Sequence, residues 1–81
     1  MMSSGKLVSL RQIRAGQRGK VVEIHGGYGM INRLGALGIR PGCTITKVSS
    51  MLMRGPVTIR VGHTQLAIGY GMASKILIEP I

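Results

Sequence analysis

The chain has no aspartate, phenylalanine or tryptophan, a single cysteine, and only two glutamates among 81 residues. Each scarcity excludes something. One thiol, Cys43, cannot close an internal disulfide, so a cysteine-stapled secreted scaffold is ruled out and an intracellular, reducing setting is expected. With Glu23 and Glu79 as the whole acidic complement, there is no carboxylate cluster to hold a cation. Two aromatic residues, Tyr28 and Tyr70, cannot build the groove that grips proline-rich peptides, nor a platform on which successive bases stack. No apolar run reaches the roughly 18 residues of a membrane span, and the opening Met-Met-Ser-Ser-Gly-Lys lacks a signal peptide's hydrophobic stretch. Neither a span nor a leader is expected.

What is abundant is positive charge. Eleven lysines and arginines give a formal net charge of +9. They are dispersed from Lys6 to Lys75 with no run of three, which describes a solvated cationic surface. Such a field favours acidic partners: nucleic acid, an anionic membrane face or an acidic protein surface. A chain of 81 residues holds one domain and buries only ~60% of its unfolded surface, so the core is small. Residues 1–6 read as a flexible N-terminus and residues 7–81 as the folded domain.

The sharpest local signal lies in Ile31 to Gly42, Ile-Asn-Arg-Leu-Gly-Ala-Leu-Gly-Ile-Arg-Pro-Gly. Ile31, Leu34 and Leu37 recur at near-helical spacing. Gly38 fits the left-handed position just past a helix end, Ile39 then packs back on Leu34, and Pro41 with Gly42 forbids continuation. Around this short helix the sequence is of β type. Lys20 to His25 alternates, with Val22 and Ile24 expected on one face and Val21, Glu23 and His25 on the other. Cys43 to about Ser49 is a second strand whose broken alternation calls for a bulge near Lys47. Val57, Ile59 and Val61 face inward on a third strand, and Gly62-His63 turns it directly into Thr64 to Ile68 as a tight hairpin. A glycine-rich corner at Gly69 to Ala73 leads into a last strand, Lys75 to Glu79. Leu7 to Ile13 is an apolar opening segment that ends in a glycine-punctuated turn. The expected fold is mainly β, a small, partly open five-stranded barrel with one short helix between the first two strands.

Taken in order, Arg33-Leu34 with Leu37-Gly38-Ile39-Arg40-Pro41-Gly42, then Gly55-Pro56-Val57, then Leu66-Ala67-Ile68-Gly69, then Ala73-Ser74-Lys75-Ile76, the chain resembles the FeoA family of small SH3-like proteins. The resemblance runs from about residue 7 to the C-terminus. It implies a cytoplasmic accessory of bacterial ferrous iron uptake whose partner is the cytoplasmic part of the FeoB-type membrane transporter with its GTP-binding domain, and whose basic surface can touch the anionic inner membrane. The same SH3-like module closes iron- and manganese-dependent repressors, but their DNA-binding helical domain has no counterpart here.

Chemistry is sparse. Catalysis needs a nucleophile, a base and an orienting group. Cys43 at a strand start and His25 and His63 at strand and hairpin ends have no aspartate to orient them, so no catalytic residue is assigned and the chain reads as a non-enzyme. A ferrous site would have to draw on Glu23, His25, His63 and Glu79. Only Glu23 and His25 share a strand face, and the net charge repels a cation, so no metal ligand or cofactor is assigned. Gly26-Gly27-Tyr28-Gly29 before the helix lacks the Lys-Ser/Thr ending of a phosphate loop. The rival to the transport reading is a basic SH3-like nucleic-acid-binding protein. The expected partner contact is the loop Met51-Leu52-Met53-Arg54, where adaptable apolar side chains sit beside a charge. The alternative for that loop is a lid on the core.

Overall fold

The computed structural model describes residues 7–50 and 55–81. Its elements are β1 (Val8–Ser9), a 3₁₀ turn (Leu10–Gln12), β2 (Arg18–Ile24), α1 (Tyr28–Ala36), β3 (Thr44–Ser50), β4 (Val57–Val61), β5 (Thr64–Ile68), α2 (Tyr70–Ala73) and β6 (Ile76–Pro80). The strands form one six-stranded antiparallel sheet in the order β1-β6-β2-β3-β4-β5, a mainly β, SH3-like domain. Beyond the five strands read from the sequence, the two-residue β1 pairs with β6 through Val8 and Ser9. Its brevity explains why no alternating pattern marks it. Ser9 then starts the 3₁₀ turn by donating its backbone N–H to Gln12 Oε1 at 2.8 Å.

The core is made where the inner faces of the strands meet the end of the helix. Val21, Ile45, Ile59, Ile76 and Ile78 project inward from β2, β3, β4 and β6, and Leu34 of α1 with Ile39 beyond it joins the same cluster. Burying each such side chain contributes about 1.5–3 kcal/mol. Gly19 lies on the inner side of β2 because Ile78 occupies its space; a Cβ there would stand 2.7 Å from Ile78 Cδ1.

Two bulges set the twist. The β2–β6 register slips between Val21 and Glu23, leaving Val22 as the extra residue, and the β3–β4 register slips between Lys47 and Ser49 at Val48. The second is the bulge that the broken alternation around Lys47 calls for. The first corrects the face assignment on β2: Val21 is 1% exposed, Val22 and Glu23 are exposed in succession and Ile24 is half-buried, so Val22 and Ile24 do not share a face. An inserted residue reverses the inside–outside order of everything after it, so Ile24 returns to the side of Val21.

Candidate functional site

The helix end is built as follows. Gly38 has φ +92°, donates its N–H to Gly35 O at 3.0 Å, and lets Ile39 N–H return to Leu34 O at 2.9 Å. This pair of bonds is the Schellman arrangement, and it satisfies carbonyls that the helix leaves open. Immediately afterwards Arg40 O accepts from Cys43 N–H at 3.1 Å across Pro41 and Gly42, with Gly42 at φ +98°. Proline at the second and a positive-φ glycine at the third position make a type II turn. It lays Cys43 against β2, where its carbonyl accepts from Val21 N–H at 2.8 Å. The residues Leu34, Gly38, Ile39, Pro41 and Gly42 therefore deliver the chain from helix to β3.

The groups considered for chemistry stand apart. Cys43 is half-buried at the start of β3, and His63 is exposed in the two-residue β4–β5 turn. His25 Nε2 lies 3.6 Å from Glu23 Oε1, with both side chains more than half exposed. Glu79 is carried by β6 opposite Lys20. Among the described residues no three histidine, cysteine or acidic side chains come together as a metal site would need. The loop Met51 to Arg54 lies outside the described residues; the ladder pair Ser50 with Val57 marks where β3 and β4 meet it.

A residue without an assigned role in the sequence reading proves structurally central. Lys47 is 2% exposed, and its Nζ donates to Ile13 O at 2.6 Å and Arg11 O at 3.0 Å. Burial, followed by the neighbouring Arg11 charge, holds its pKa below the ordinary lysine value. The signal was available in principle: Lys47 follows the inward-facing Ile45 by two residues on one strand. Arg11 in turn donates to the Tyr70 hydroxyl while its guanidinium lies 4.5 Å from the Tyr70 ring centroid, tying the 3₁₀ turn to α2.

The outer face of the sheet carries a row of exposed charge. Register pairs Arg18 with Thr46, Thr46 with Arg60, and Arg60 with Gln65, one row across β2 to β5. Arg18, Arg60, Gln65 and nearby Lys20 are exposed, while Thr46 is half-buried between the two arginines. Their inward neighbours Gly19, Ile45 and Ile59 are buried, so the row faces solvent.

Residues 8–80 match the family model described as FeoA domain. A crystal structure described as Iron Uptake Regulatory Protein (FeoA) is 36% identical, with a TM-score of 0.84 over 94% of this chain and 99% of that one. A FeoA-like protein from Clostridium acetobutylicum, 22% identical, aligns with a TM-score of 0.83 over 96% of this chain and 91% of that one. A manganese-dependent transcriptional repressor, 16% identical, shares the fold at a TM-score of 0.86; 98% of this chain covers 44% of that protein. No curated protein sequence matches.

Proposed function

The chain belongs to the FeoA domain family, and from that premise we propose that it is a non-enzymatic accessory of bacterial ferrous iron uptake, acting by binding the cytoplasmic part of a FeoB-type transporter. The observation that carries this reading is the near full-length likeness to an iron uptake regulatory protein at 36% identity. Two features support a binding role. Cys43, His25 and His63 stand on separate elements, so that among the described residues the Glu23–His25 pair has no nucleophile beside it, and the formal charge of +9 favours an acidic partner. The working place is the cytoplasmic side, where each basic residue near an anionic leaflet adds about 1 kcal/mol of attraction. Within this reading the Met51 to Arg54 loop supplies apolar contact to the partner.

The test is co-purification from a bacterium that expresses the tagged chain with a FeoB-type transporter. Recovery of that polytopic protein, together with reduced ferrous uptake when the chain is deleted, is the expected result. Recovery of RNA or ribosomes in its place overturns the reading in favour of nucleic-acid binding.

A further inference from the structure

We propose that the row Arg18, Thr46 and Arg60 on the outer sheet face, with Lys20 beside it, is a docking surface for a glutamate- or aspartate-rich segment of a protein partner; this rests on the reading that the chain works by binding protein. The placement comes from strand register. Arg18 and Arg60 flank Thr46 on the neighbouring strands, so their Cα atoms are separated by two strand spacings, roughly 9–10 Å. Lys20 follows Arg18 by two residues on the same outward face.

The donors of this row are uncommitted. Among the described residues the one close contact between an acidic and a basic side chain is Glu23 with His25, and no hydrogen bond engages the side chains of Arg18, Lys20 or Arg60. Of the other described cations, Arg11 is engaged on Tyr70, Arg40 on the Gly35 carbonyl and Lys47 inside the core, while Arg14, Arg33 and Lys75 are exposed singly on the turn before β2, on α1 and before β6. Two guanidinium forks beside a hydroxyl suit planar carboxylates, which arginine binds bidentately. Their long side chains can bring both forks to carboxylates two residues apart, which share one face of an extended segment and stand about 6.6 Å apart along it. Nucleic acid fits less well. Both tyrosines lie off this face, on α1 and α2, and three cations neutralise too few phosphates to keep affinity at physiological salt.

The full chain is titrated with labelled poly-L-glutamate in about 0.15 M salt, where exposed charges beyond ~8 Å are screened. Arg18→Gln with Arg60→Gln should weaken binding about tenfold or more, the loss expected for charge-assisted bonds, while Arg33→Gln with Arg40→Gln, an equal charge loss elsewhere, should weaken it less than about threefold. Arg18→Lys with Arg60→Lys keeps the charge and loses the forks, and should also weaken binding by about threefold or more. If the glutamine pair lowers the melting temperature, the lysine pair decides. Equal losses from the two glutamine pairs, no binding of poly-L-glutamate by the unmodified chain, or tighter binding of polyuridylate or phosphatidylserine vesicles through the same arginines each overturn the proposal. The cytoplasmic part of the FeoB-type transporter is titrated in parallel. If it fails to bind while poly-L-glutamate binding follows the row, the docking surface stands and the assigned partner falls.

Discussion

Gly19 and Lys47 show how much of a small domain can hang on single side chains. A methyl group at Gly19 would stand 2.7 Å from Ile78 Cδ1, and Ile78 is fully buried and so has little room to retreat. Gly19→Ala should therefore cost about 1–3 kcal/mol through overpacking, read as a lowered midpoint in urea. Lys47 presents a different balance, because its burial disfavours the charge while two backbone carbonyls need its protons. Lys47→Met strands both carbonyls and should cost roughly 1–3 kcal/mol at neutral pH. The pH dependence has a definite sign. A lysine whose pKa is lower in the folded state binds fewer protons there than when unfolded, so stability rises with pH between the lowered value and the ordinary one. The gap between the parent and Lys47→Met should widen as pH rises toward the ordinary lysine value, and denaturation curves at several alkaline pH values would check it. A constant gap would mean that the amine is not differentially protonated.

Among the elements, α1 depends most on how it ends. The helix is nine residues long, too short to persist on its own, and it depends on its cap and on burial of Leu34. Gly38→Ala puts a side chain at φ +92° and should destabilise by about 1 kcal/mol, whereas Gly35→Ala lies inside the helix with nothing within 4 Å of the added methyl and should stabilise by about 0.5–1 kcal/mol. Opposite shifts in melting temperature from two alanines three residues apart are a test of helix register that few alternative boundaries could pass. For the loop, Leu52→Ser with Met53→Ser should leave the melting temperature nearly unchanged and reduce transporter-dependent ferrous uptake. A double variant that unfolds would assign those side chains to the core, and one that transports normally would move the interface to other residues.

At the scale of the whole molecule, charge dominates. Nine net positive charges on so small a domain repel a free divalent cation and attract acidic surfaces. Glu23 and His25 provide one close pair, fewer groups than a ferrous site draws on. Anaerobic calorimetry with Fe²⁺ at micromolar concentration is accordingly expected to show no stoichiometric binding. One tight site abolished by His25→Ala would refute this and make the chain an iron carrier in its own right. Partner binding, by contrast, should weaken as salt is raised, since the attraction is between exposed charges.

The local chain direction was decided by short-range chemistry, and so it could be read directly. Pro41-Gly42 dictates a turn, Gly62-His63 closes a hairpin between Val61 and Thr64, and the apolar alternation of Val57, Ile59 and Val61 needs only its own strand to declare which side is buried. Four short motifs in order were enough to point to the family. What the sequence could not decide depends on partners distant along the chain. Val8 and Ser9 become a strand because β6 lies beside them, and Glu23 follows Val22 outward while Ile24 turns back toward the core because the β2–β6 ladder slips by one residue. Lys47 is held inside by carbonyls 34 and 36 residues away, against every expectation for its charge. The arginine row on the outer face exists only through register, since Arg18 and Arg60 become near neighbours when β3 is laid between β2 and β4. Local propensity acts over a few residues and is written in them. Cross-strand pairing is a long-range choice, settled by which set of contacts buries the common core.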